Sequence, residues 1–149
     1  MALATSTQMR QMIEAWEGLR LQAYRDIVGV LTIGYGHTGP DVHEGQDITD
    51  AEADTLLSGD LHKFELAVGS MVGFAKTTQQ QFDAMVSFSY NLGSGALKGS
   101  TLLRQHLAGN YEAAANEFPK WDHAGGVENE AILKRRDAEA EVYLNGAYT

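Results

Sequence analysis

The hydrophobic period of the chain changes twice, and those changes limit the folds open to it. Met9, Met12, Ile13 and Trp16 fall at i, i+3, i+4 and i+7 behind a Thr5-Ser6-Thr7 cluster that can cap, which predicts a short amphipathic helix ending near Gly18. From Leu19 to Tyr35 the residues turn β-branched and aromatic, with turn signals at Asp26 and Gly29, so a small antiparallel sheet or hairpin is expected there. Gly34, Gly36, Gly39 and Pro40 mark its end. Helical spacing then returns. Thr49 and Glu52 make a capping-box pattern ahead of Ala53, Leu56, Leu57, Leu61, Phe64 and Val68, a helix to about Gly69 that could join two lobes.

A second box, Thr78 with Gln81, opens a helix carrying Phe82, Met85, Val86 and Tyr90 on one face and stopped by Asn91-Leu92-Gly93. Short helices are expected at about 101–108 and 111–118, the second ended by Pro119. After a Gly125-Gly126 break, residues 128–145 read as a last helix with Ile132, Ala140, Tyr143 and Leu144 as its apolar side. The expected fold class is therefore α+β and mostly helical, in one domain of 149 residues. Its small N-terminal lobe covers about 13–60, and a larger helical lobe covers about 70–149 together with the N-terminal helix.

Composition removes several functions. The chain has 20 acids against 11 bases, a formal charge of −9, which is the wrong sign for affinity built on neutralising phosphates, so nucleic acid and anionic membranes are not expected partners. Much of the excess is local: Asp41, Glu44, Asp47, Asp50, Glu52, Asp54, Asp60 and Glu65 face Lys63 alone between residues 41 and 65. With no cysteine, disulfides, thiol catalysis and thiolate zinc sites are excluded. No signal peptide and no membrane span or anchor are read in the chain, so a chain made soluble and without an export signal is expected.

Several reactive groups crowd into residues 17–38. Cleavage of a glycosidic bond needs a carboxylic acid to protonate the leaving oxygen and a second carboxylate across from it. Glu17 at a helix end and Asp26 at a turn could supply them, or could be two solvated surface acids. His37, Asp41, His43, Glu44 and Asp47 follow no zinc or EF-hand spacing, and neither metal nor cofactor is expected. The glycines of residues 34–39 lack the strand-to-helix context and the later acid of a dinucleotide fingerprint.

The order of residues carries more. Glu17 followed by Gly-Leu-Arg, then Ala-Tyr-Arg-Asp26, then Thr32 within Leu-Thr-Ile-Gly-Tyr-Gly-His, closely resembles the catalytic segment of the phage-type lysozymes, the endolysins of glycoside hydrolase family 24. The resemblance continues through the Thr49 helix start, Tyr-Asn-Leu-Gly and Ser-Thr-Leu-Leu within 90–103, Glu-Ala-Ala-Ala-Asn at 112–116, and Trp121 with the Gly-Gly and Arg-Arg pairs, over nearly the whole chain. It implies a lysozyme-like fold with a cleft between the lobes, and a muramidase that cuts the β-1,4 bond between N-acetylmuramic acid and N-acetylglucosamine.

By the same resemblance Glu17 is the general acid, Asp26 its partner carboxylate, and Thr32 the hydroxyl that positions the attacking water, with inversion at the sugar carbon. A general acid must keep its proton near the working pH; apolar cover from Trp16 and Leu19 would favour that, and Arg135, expected against Glu17, would oppose it. For Arg135 and Arg136 the alternative is a solvated helix face with Glu139 at i+4 of Arg135. Sugar contacts map onto Thr38, Tyr90, Asn91, Ser100 and Asn116, each with a plain alternative: Tyr90 as core, Asn91 as a helix cap, Ser100 and Asn116 as surface. Trp121 is open in the same way. Leu97 departs from the family, which often has an aromatic there. His37 is expected to pair with Asp60.

The implied partner is bacterial peptidoglycan, met by a monomer that leaves a bacterial host during phage-induced lysis through a separate holin-type pore. Two other readings stand beside it. One is a lysozyme-like enzyme acting on chitin-type polymers, and the other a non-catalytic wall-binding or structural phage module.

Overall fold

The computed structural model describes residues 2–124 and 126–149, so Gly125 of the expected Gly-Gly break lies outside the described residues. The architecture is α+β and mostly helical. In chain order it comprises α1 (Thr7–Glu17), β1 (Arg20–Arg25), β2 (Leu31–Gly34), β3 (His37–Thr38), α2 (Asp50–Val72), α3 (Gln79–Leu92) and α4 (Ser94–Lys98). There follow α5 (Thr101–Leu107), α6 (Tyr111–Ala115), a 3-10 turn (Phe118–Lys120), β4 (His123–Ala124), β5 (Val127–Glu128) and α7 (Glu130–Asn145). Two compact units result: Ile13–Lys63, and the residues up to Met12 with Phe64–Thr149.

The Ile13–Lys63 unit is built on an antiparallel sheet in the order β1-β2-β3, with Tyr24 opposite Thr32 and Ile33 opposite His37. The sheet runs further than the glycine cluster suggested. Gly34 and Gly36 both have positive φ, so the chain reverses at Tyr35-Gly36 and adds β3 instead of leaving the sheet. The outer edge of β1 is covered by residues 46–48, where Ala23 N–H donates to Gln46 O and Ile48 N–H to Leu21 O, both at 2.9 Å. Ile13, Ile33, Val42, Ala53, Leu57 and Leu61 form its core. The Thr49 capping box is present: Glu52 N–H donates to Thr49 Oγ1 and Thr49 N–H to Glu52 Oε1, both at 3.1 Å.

The other unit is organised around α3. Every residue from Gln81 to Ser89 is buried, as in a helix packed on all sides rather than on one stripe. Thr78 and Gln81 form its capping box. Phe82, Phe88, Phe118 and Tyr143 are the large side chains of the core, with Phe88 and Phe118 edge to face at 5.8 Å. The start of α1 is held here by two carboxylates: Thr5 donates to Glu65 through N–H and hydroxyl, and Ser6 does the same to Asp83. Tyr148 also donates to Asp83, so one buried acid ties both ends of the described chain to α3.

Four boundaries differ from the sequence reading, each for a local reason. Helix α2 passes Gly69 and ends at Val72, where Gly73 takes the positive φ that stops it. Pro119 does not end a helix but sits inside a 3-10 turn, at an early position that needs no N–H donor. Ser94–Lys98 forms a short helix that the pattern did not announce. Helix α7 begins at Glu130 and not 128, because Asn129 caps it by accepting Ile132 N–H and residues 127–128 are in a hairpin.

Candidate active site

Glu17, Asp26 and Thr32 lie in the Ile13–Lys63 unit, the two acids at places where regular structure ends. Glu17 closes α1, and the next residue, Gly18, takes a positive φ that turns the chain into β1. Asp26 follows β1, and its Oδ1 accepts Val28 N–H at 3.0 Å and Val30 N–H at 2.9 Å. The turn is closed by Gly29 N–H to Asp26 O and Asp26 N–H to Val30 O. Both side-chain bonds fall on Oδ1, which leaves Oδ2 as the oxygen suited to receive a proton.

Thr32, in the middle strand, is buried, and its hydroxyl donates to Val30 O at 2.9 Å. Val30 is thus gripped twice, by Asp26 at its N–H and by Thr32 at its carbonyl. With its hydrogen committed, Thr32 Oγ1 can act toward a third group only as an acceptor. Glu17 is approached by backbone: a Cβ placed on Gly36 would stand 3.1 Å from Glu17 Oε1. Leu19, expected to cover the acid, is instead 38% exposed, since it lies in the turn between α1 and β1.

His37 braces this sheet. Its Nδ1 lies 2.8 Å from Asp60 Oδ2 on α2, and its Nε2 lies 2.9 Å from Asp41 Oδ2. Burial lowers the imidazole pKa, but the hydrogen bonds and charges of Asp60 and Asp41 outweigh it, leaving His37 raised above 6.5. The hydrogen bond to His37 holds Asp41 below the usual carboxylate value. In the sequence Asp41 was weighed beside His37 only as a metal-ligand candidate and as one acid of the acidic stretch; its i+4 spacing from His37 was the available signal for the pair. Thr38 is exposed, directly across the sheet from Thr32.

The remaining candidates lie in the other unit. Tyr90 is half-buried and meets Phe64 edge to face at 5.6 Å. Asn91 is not a cap but a residue of α3, and its Oδ1 accepts Arg136 Nη2–H at 2.9 Å. Ser100 is neither surface nor free to donate outward: it is buried, caps α5 by accepting Leu103 N–H, and donates to Leu97 O at 2.7 Å. Asn116 is exposed at the end of α6, and Trp121 packs edge to face on Phe88 at 5.3 Å. Leu97 is fully buried, which makes it core rather than a wall open to a ligand.

The solvated-face reading of the arginine pair is overturned. Arg135 is buried, and both Arg136 and Glu139 are 0% exposed. Arg136 Nε lies 2.7 Å from Glu139 Oε1, Ser87 donates to Glu139 Oε2, and the guanidinium sits over the Phe88 ring at 5.3 Å. Burial pushes the Glu139 carboxyl up and the Arg136 guanidinium down, and their mutual attraction opposes both shifts. The expected apolar side of α7 is corrected with it: Leu144 is exposed, and the buried face is Arg135, Arg136, Glu139, Val142 and Tyr143.

The family model described as phage lysozyme matches residues 14–139. The chain is 46% identical over 137 residues to the endolysin of Bacillus phage B103, covering 91% of this chain and 52% of that protein. It spans about half the length of that relative and of the similar endolysin of Bacillus phage PZA. The solved endolysin from Escherichia coli phage FAHEc1 superposes with a TM-score of 0.91 at 36% identity, covering 99% of this chain and 97% of that one. The muramidase domain of SpmX from Asticaccaulis excentricus superposes with a TM-score of 0.88 at 35% identity, covering 96% and 99%.

Proposed function

Because the chain belongs to the phage lysozyme family, we propose that it is a peptidoglycan hydrolase, a muramidase that cuts the β-1,4 bond between N-acetylmuramic acid and N-acetylglucosamine. The observation that carries this reading is the shared grip of Asp26 and Thr32 on Val30, which holds a carboxylate and an acceptor hydroxyl in one rigid turn. Glu17 donates its proton to the leaving sugar oxygen as the bond to the anomeric carbon breaks. Thr32 Oγ1, able only to accept, receives a hydrogen bond from the attacking water, which keeps that hydrogen, and so aims its lone pair. The water oxygen bonds to the anomeric carbon, its other proton passes to Asp26 Oδ2, and the configuration inverts. Thr38, Tyr90, Asn91 and Asn116 offer hydroxyl, aromatic and amide groups of the kind that hold sugars.

No metal or cofactor has a part in these steps. The intact trio of Glu17, Asp26 and Thr32 speaks against a purely wall-binding or structural module. Among the described residues no helix is long and apolar enough to cross a membrane. The proposed course is accumulation as a monomer in the host cytoplasm during phage-induced lysis, with release through a separate holin-type pore. Mass spectrometry of fragments released from purified peptidoglycan tests the reaction. New reducing ends on muramic acid, lost in Glu17→Gln, are the expected result; free peptide amines, or ends on N-acetylglucosamine, would overturn it.

A further inference from the structure

The turn that carries Asp26 ends in an apolar tip that folding does not explain. Ile27 is fully exposed and Val28 is 77% exposed, with Val30 beside them at 43%. Turn positions ordinarily take Gly, Pro, Asn, Asp or Ser, for backbone reasons and because they face water. Here two β-branched side chains are held out on a turn with no slack: Asp26 clamps it through Val28 N–H and Val30 N–H, and Arg25 Nη1 donates to Gly29 O at 2.8 Å. Arg25 is itself paired with Glu44 at 2.7 Å, so the tip has no uncompensated positive charge. Ordering entropy for such a surface is spent in folding and not on binding.

We propose that Ile27 and Val28 are specificity-determining residues that contact the alanine-rich peptide stem borne by the muramic acid, so that the enzyme prefers stem-bearing glycan over bare glycan. This rests on the muramidase reading above and names the part of the substrate its turn would meet. Ile27 follows Asp26 directly, its Cα about 3.8 Å from that of the residue whose carboxylate the muramidase reading sets against the scissile sugar. The lactyl group and first residues of the stem bring methyl groups to that sugar, and apolar contact with them is what the tip can offer. Two side chains are too few for a second copy of the chain, since a stable interface buries about 800 Å² per partner. An anionic lipid surface is disfavoured by the net charge of −9.

The test compares Ile27→Thr/Val28→Thr, which keeps both β-branches, with the unsubstituted chain on two substrates. One is purified peptidoglycan, the other the same glycan stripped of its stems by an amidase; reducing ends are counted in each. The kcat/KM ratio of stem-bearing to stripped substrate should fall about tenfold in the variant, mostly through KM. An unchanged ratio would overturn the inference while leaving the muramidase reading intact. If the unsubstituted chain releases no reducing ends from either glycan, the muramidase reading fails and the inference falls with it.

Discussion

Gly36 lies against the carboxylate of Glu17: a Cβ at Gly36 would be 3.1 Å from Glu17 Oε1, on a backbone with φ of +82°. A side chain there is opposed twice, by the left-handed conformation and by the acid. Gly36→Ala should lower stability by about 1 kcal/mol and activity by roughly tenfold to a hundredfold. Gly45→Ala is the matched control, with φ of +76° and nothing within 4 Å of the added carbon. It should show a similar stability loss in urea unfolding with little change in turnover. Equal turnover losses would mean that backbone strain, and not displacement of Glu17, is responsible.

Thr32→Val removes the bond to Val30 O and the acceptor offered to water while keeping the shape. Turnover should fall by about a hundredfold or more with KM little changed, because the role proposed for the hydroxyl is on a water and not on the sugar. Turnover and oligosaccharide affinity measured together check this. A raised KM at full turnover would make Thr32 a sugar contact.

Two histidines should drive stability in opposite directions with pH. The folded pKa of His37 is raised, so its contribution is complete below the unfolded value near 6.5 and is lost as pH rises through the folded value. Asp60→Asn or Asp41→Asn should shrink that dependence. His106 is buried between Tyr143 OH at Nδ1, 2.6 Å, and Thr77 Oγ1 at Nε2, 2.9 Å. The Thr77 hydroxyl donates to Ala75 O, so it accepts from Nε2–H, and the neutral ring is fully bonded. Burial lowers its pKa, so its contribution is present above pH 6.5 and lost as pH falls. NMR titration of both rings, with unfolding free energies across about pH 5 to 8, separates the two.

Breaking the buried pair on α7 should be among the most damaging single changes. Glu139→Gln leaves the Arg136 guanidinium, 0% exposed, without its counter-charge, for an expected loss of about 3–5 kcal/mol. Arg136→Met with Glu139→Leu should recover most of it, since neither charge is then stranded. Urea unfolding of the two singles and the double decides; a double no better than Glu139→Gln would mean that the pair contributes through more than charge balance.

Local chemistry was legible in the residues themselves. The Thr49 and Thr78 capping boxes, the turn at Asp26 and the helical face of α1 are decided within a few positions, by hydrogen-bond reach and by hydrophobic period, and they stand where the pattern put them. The order of Glu17, Asp26 and Thr32 also carried the family, because all three fall in one short run. What the chain could not declare locally was burial of polar groups. Arg136 looks solvated until Asn91 and Ser87, 45 and 52 residues from their partners on α7, close around the pair. Ser100 looks like surface until Leu97 O and Leu103 N–H take its hydroxyl inside a packed turn. A charged or hydroxyl side chain reads as exposed unless its partner is known, and only the tertiary structure brings that partner near.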